Sequence, residues 1–160
     1  MRKKSKTIIA AIFLLMIPGF LPAQTAEELE ALLEIPAVSC SQAAYFVLAS
    51  VNDGSADSDK PVGVNLPEDP FEQAMAKGWF REGTAPDDSV TLGKLSFLMM
   101  KAFGMRGGMM YAIIPGPRYA FRSMVSRSFI QGASDPAMKV SGERFLLILG
   151  NVIEAVGGEQ

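Results

Sequence analysis

Apolar residues recur at helical spacing in stretches that each follow a hydroxyl residue. After Ser141 the apolar positions are Phe145, Ile148, Leu149, Val152 and Ile153, and after Thr91 they are Leu95, Leu98, Met99, Ala102 and Phe103. Steps of three and four place these side chains on one face of a helix, and most of such a helix's stability comes from burying that face. A third helix-like run, Ala43–Val51, follows Ser39. Ser39, Thr91 and Ser141 suit the N-cap, where the side-chain oxygen accepts from a first-turn N–H that otherwise lacks a partner. Gln42, three residues after Ser39, completes a capping box.

The three stretches share a layout. Val38-Ser39-Cys40-Ser41-Gln42, Val90-Thr91-Leu92-Gly93-Lys94 and Val140-Ser141-Gly142-Glu143-Arg144 each lead into a helix, and their valines lie 52 and 50 residues apart. A fixed period of this size marks repeat architecture. The likeness of the second and third copies extends upstream. Lys77-Gly78-Trp79-Phe80 aligns with Arg127-Ser128-Phe129-Ile130, Gly83 with Gly132, and Pro86 with Pro136. Each copy thus reads as helix, glycine turn, proline-containing loop and capped helix. The leading helix of the second copy is expected at Asp69-Pro70-Phe71-Glu72, with a cap, a first-turn proline and a glutamate at the third helical position. That of the third starts near Pro117, and Ala26–Glu34, ended by Pro36, serves the shortened first copy. The fold class expected is all-α in the main: three degenerate helix-loop-helix repeats forming one compact domain over residues 24–160.

Two linking segments differ in character. Asn52–Pro67 is rich in Asn, Asp, Ser, Gly and Pro, and reads as an exposed, flexible loop. Gly104–Pro117 is apolar at its centre and carries glycine and proline at both ends. It is expected as a short strand-like insertion tucked onto the core, the alternative being a hydrophobic contact surface.

The N-terminal pattern is of another kind. Arg2, Lys3, Lys4 and Lys6 precede ten unbroken apolar residues, Ile8–Ile17; Pro18-Gly19 breaks the run and Leu21-Pro22-Ala23 offers a small-residue cleavage site. This is the order of a secretory signal peptide, expected over residues 1–23. The run is too short for the ~20 residues that a membrane-spanning helix needs. Lipidation would require a cysteine directly after the run, and the single cysteine, Cys40, lies beyond four glutamates.

Composition narrows the chemistry. The sequence holds no histidine and one cysteine. The commonest general base, the Ser-His and Cys-His pairs, a zinc cluster of the usual kind and an internal disulfide are therefore all excluded. Cys40 is expected to be buried, the alternative being a bond between chains. Residues 24–73 carry ten acids and one base, and residues 74–160 carry seven acids and ten bases. The two halves would attract each other or face different partners, unless these are ordinary solvated faces. Nothing is basic enough to argue for nucleic acid.

The repeat resembles the S-layer homology (SLH) motif. Arg118-Tyr119-Ala120 resembles its opening, Ser128-Phe129-Ile130-Gln131-Gly132 its turn, and Ala85-Pro86-Asp87-Asp88-Ser89-Val90-Thr91 the loop into its second helix. The resemblance covers most of Glu68–Val156 and is weaker over Ala26–Val51. It implies a three-lobed helical bundle and, as in many members, attachment of an exported protein to cell-wall polysaccharide. At the positions of the family's signature arginine stand Cys40, Leu92 and Gly142, none of which can pair with a carboxylate.

The best polar cluster is Arg118, Tyr119, Arg122 and Arg127, with Arg106 and Arg144 as neighbours to test. Arg118 and Arg122 are four apart on a helix and share a face, so with Tyr119 they could grip an anionic sugar, a phosphate or an acidic partner. Otherwise these arginines pair with the acidic first copy or stay solvated. Trp79 is either a stacking platform for a sugar or packed between helices, as its counterpart Phe129 suggests. Met99, Met100, Met105, Met109 and Met110 form an adaptable surface or fill the core. Asp87-Asp88 suits a turn better than a catalytic pair. With no catalytic set, cofactor or metal site in view, the expectation is a non-enzymatic, exported module in the periplasm or at the cell surface. It would bind an envelope polysaccharide or protein. The alternatives are a self-assembling envelope subunit and, less favoured, an acid-based hydrolase.

Overall fold

The computed structural model describes residues 30–53 and 69–158, with Asn52 and Asp53 known in backbone only. The expected signal peptide and residues 54–67 of the expected loop lie outside the described residues. The chain divides into two compact units, Met1–Leu32 and Leu33–Gln160. In the first, residues 30–32 are helical; all that follows concerns the second.

The described fold is mainly helical, as the periodicity predicts. Its helices are α1 (Cys40–Asp53), α2 (Pro70–Ala76), α3 (Leu92–Ala102), α4 (Met109–Ile113), α5 (Pro117–Ser126) and α6 (Gly142–Gly157). Extended pairing among the described residues is limited to two isolated antiparallel bridges, Ser39 with Ser89 and Thr91 with Lys139.

Local chemistry starts the helices where the caps were expected. Ser39 and Gln42 form the reciprocal box: Gln42 N–H donates to Ser39 Oγ at 3.2 Å and Ser39 N–H to Gln42 Oε1 at 3.0 Å. Thr91 and Ser141 accept from Lys94 N–H and Arg144 N–H, each at 3.4 Å. Asp69 accepts from Phe71 N–H and Glu72 N–H, with Pro70 in the first turn of α2. The helix ends also repeat. Gly78 and Ser128 both take left-handed backbone, φ 67° and 62°. The residue after each, Trp79 or Phe129, donates its N–H back to Ala74 or Met124. This is the six-to-one bond that closes a helix C-terminus.

The three valines close a ring. Val38 N–H donates to Val140 C=O at 2.8 Å, Val90 N–H to Val38 C=O at 2.8 Å, and Val140 N–H to Val90 C=O at 3.2 Å. A second ring runs the other way, through the residue after each cap. Cys40 N–H donates to Asp88 C=O, Leu92 N–H to Met138 C=O, and Gly142 N–H to Ile35 C=O, at 2.8–2.9 Å. Helix starts leave amides without intrahelical partners, and here the loop entering the next cap supplies the carbonyls. Each of the three starts is thus completed by another part of the sequence.

Around this ring the core assembles. Val38, Val90 and Val140 are fully buried, as are Ala43, Ala44 and Val47 of α1, Leu98 and Met99 of α3 and Phe145 and Val152 of α6. α2 packs on α1, and α5 on α3, so a leading helix lies against the capped helix that precedes it in each case; α1 also meets α3. Phe46 and Phe145 meet edge to face at 6.1 Å, and Phe71 and Phe80 pack with rings tilted by 30° at 5.5 Å.

Three expectations need correction. α1 runs through Asp53, so Asn52 and Asp53 belong to the helix and not to the loop after it. Ile153 lies on the solvent side of α6, because four consecutive turns carry more apolar residues than the buried face accepts. The insertion after α3 is helical, not strand-like: α4 buries only Tyr111 against the fold, while Met109, Met110, Ile113 and Ile114 are exposed.

Candidate anion-binding groove

Arg118 and Arg122 project from α5, four residues apart, and both are exposed. They line a groove of about 620 Å3 together with Lys94 from the first turn of α3. Pro117 and Phe121 supply apolar surface from α5, and the loop Asp135-Pro136-Ala137 forms the facing wall. The ring brings that loop here: Gly93 N–H donates to Pro136 C=O at 2.8 Å, and Leu92 N–H to Met138 C=O at 2.9 Å. Gly93 is confined by the same contact, since a Cβ there would stand 3.1 Å from the Pro136 oxygen.

The groove therefore holds three cationic side chains and one carboxylate. Among the described residues, neither arginine has a carboxylate within 4 Å, and Lys94 reaches only Asp88, at 4.0 Å across partly exposed surface. A pair of that kind contributes little. Like charges four apart on a helix repel by a few tenths of a kcal/mol, so an anion that bridged Arg118 and Arg122 would offset that repulsion. The backbone amides at the start of α3 are already bonded to the Pro136 and Met138 carbonyls and to Thr91 Oγ1. Recognition of an anion then falls to the side chains, through guanidinium groups able to make bidentate bonds.

The other members of the predicted cluster lie apart from this groove. Tyr119 is half-buried and does not line it. Arg127, at the far end of α5, donates from Nη2 to the Arg106 carbonyl at 2.6 Å and fixes the chain entering α4. It lines a different cavity of about 650 Å3 with Phe103 and Phe129. Arg144 donates to the Gln131 and Ala133 carbonyls at 3.1 and 3.0 Å and ties down the third loop. Lys94 and the loop Asp135–Ala137 were missed as site residues. Lys94 stood out only as part of a helix start and Pro136 only as a loop proline; packing of α5 on α3 brings the first to the groove and the bond from Gly93 to Pro136 the second.

The remaining candidates settle into structure. Trp79 is half-buried, with the Lys77 ammonium 4.8 Å from its ring centre. Met99 and Met100 are core, whereas Met109 and Met110 are exposed. Asp88 Oδ2 accepts from Ala85 N–H at 3.1 Å, a turn bond. Cys40 is buried and free. Burial pushes its thiol above the ordinary value, Lys94 pulls it partly back, and Asp88 adds to the rise. Among the described residues no helix is long and apolar enough to cross a membrane.

Comparison with protein-family models, with curated proteins and with solved structures finds no match for this chain.

Proposed function

We propose that this protein is an exported, non-enzymatic interaction module of the cell envelope, with an SLH-like core, and that its groove holds an acidic group of an envelope polymer. The observation that carries the proposal is the convergence of Lys94, Arg118 and Arg122 on one groove against a single carboxylate, Asp135. Phe121, Pro117 and Pro136 add an apolar floor on which a sugar ring could rest. Support for the SLH-like layout comes from three capped helix starts joined valine to valine in a closed ring. The groove also lies where the second cap meets the third loop. Export rests on the charged start, the short apolar run and the cleavage site at the N-terminus.

The test is binding of the mature chain to isolated envelope fractions and to a soluble acidic polysaccharide such as polygalacturonate. Retention that falls about tenfold or more in Arg118→Ala/Arg122→Ala is expected, the loss typical of charge-assisted contacts. Absence of binding to the polysaccharide, or equal binding of it by the double variant, overturns the groove. N-terminal sequencing of the protein outside the cytoplasm should start near Gln24; a retained Met1 there refutes cleavage.

A further inference from the structure

We infer that the tip formed by α4 docks the protein on an anionic lipid bilayer. α4 exposes Met109 by 80%, Ile113 by 67% and Met110 by 47%, and Ile114, just beyond it, by 56%. The exposure does not come from a loose helix, because α4 is anchored from its inner side. Tyr111 is buried and meets Phe97 edge to face at 6.3 Å. Gly107 lies so close under the Tyr111 ring that a Cβ would overlap it. Gly108 N–H donates to Ser123 Oγ at 3.1 Å, and the chain before it is held by Arg127. One aromatic points in, and four apolar side chains are held out.

Charge decides the partner. From Ser89 to Ser134 the sequence contains six basic residues and no acid. The tip stands in the middle of this stretch, with Arg106 three residues before α4 and Arg118 four residues after Ile114. An apolar protrusion flanked by arginines matches the two layers of an anionic bilayer, acyl chains beneath phosphate. A second copy fits poorly. Tip-to-tip contact would bring like charges together, and four side chains fall far short of the roughly 800 Å2 per partner of a stable interface.

The experiment is vesicle flotation of the mature chain, with vesicles of phosphatidylcholine alone and of phosphatidylcholine mixed with phosphatidylglycerol. Binding to the anionic vesicles is expected, weaker by about tenfold on neutral ones and weakened by salt. Met109→Ser/Ile113→Ser should reduce it by about tenfold or more, whereas Met109→Leu/Ile113→Leu should retain it. These positions are exposed, and circular dichroism of each variant verifies the fold. In Ile113→Trp, tryptophan emission should shift to shorter wavelength on adding anionic vesicles. The proposal is overturned by no flotation with anionic vesicles, by equal flotation of the serine variant, or by a micromolar dimer that the serine variant abolishes in the absence of lipid binding. The serine variant leaves Lys94, Arg118 and Arg122 of the groove in place, so its loss of flotation separates the tip from the groove.

Discussion

Replacing Val38, Val90 or Val140 by alanine, one at a time, should cost nearly the same at each position. All three side chains are fully buried, and their backbones form one hydrogen-bonded ring. Each substitution removes two carbons, worth about 1.6 kcal/mol at roughly 0.8 kcal/mol each. The ring's mutual bonds limit how far the chain can collapse into the gap, and the residual cavity raises the cost to about 2–3 kcal/mol. A substitution on the exposed face of α6, such as Leu147→Ala, should stay within about 0.5 kcal/mol. Urea unfolding followed through Trp79 measures these differences. With a slope of about 2 kcal/mol/M, each valine variant lowers the midpoint by about 1 M without changing the slope. Because the three sites touch, pairs of substitutions should depart from additivity by at least about 0.5 kcal/mol. Hydrogen exchange gives a second readout: the amides of Val38, Val90 and Val140 should exchange only through global unfolding. A Val38→Ala variant as stable as the parent, with a fast-exchanging Val38 amide, would refute a ring closed by the first copy.

Ser128 occupies the left-handed position that Gly78 holds in the preceding copy. Ser128→Gly should stabilise the chain by about 0.5–1 kcal/mol and Gly78→Ser should destabilise it by about 1 kcal/mol, both read by thermal unfolding. Cys40 gives a pH dependence. Its thiol is raised in the folded state, so folding favours the protonated form. Its contribution is fully present below the unfolded value of about 8.5 and is lost as pH rises from there through the higher folded value. Urea midpoints should thus fall on the alkaline side, and Cys40→Ala should flatten that slope; an unchanged slope would place its origin elsewhere.

The helices were legible because their starts are written in short range. Asp69-Pro70-Phe71-Glu72 and Ser39-Cys40-Ser41-Gln42 carry their own caps, and repetition of the valines exposed the period. Ser128 was legible as a turn only through its alignment with Lys77-Gly78-Trp79, since serine by itself gives no sign of positive φ. The insertion was misread for a physical reason. Five helical residues span little more than one turn, too few for a period to register, and the cluster of Met and Ile side chains reflects exposure and not burial. Arg118 and Arg122 were legible as a pair because a helix fixes residues four apart. Arg127 was grouped with them by proximity in sequence, but it lies at the end of α5 and turns to the Arg106 carbonyl. Lys94 was not legible, because its distance from α5 depends on how α3 and α5 pack against each other.

Ring closure and groove chemistry follow from one set of bonds. The loop before the third cap gives its Pro136 and Met138 carbonyls to the first amides of α3, and the same loop walls the groove through Asp135 and Ala137. A helix start with free amides would attract a small anion to the backbone. Here those amides are taken, so any anion must be met further out, by the long side chains of Lys94, Arg118 and Arg122. Long cationic side chains on an open surface select poorly for a single small ion, since ordering them costs up to about 2 kcal/mol each in rotamer entropy. They suit a repeating ligand that offers several carboxylates or phosphates, where one bound group raises the effective concentration of the next. If the groove holds an acidic polymer as proposed, an acidic monosaccharide should compete for it far less well than the polymer.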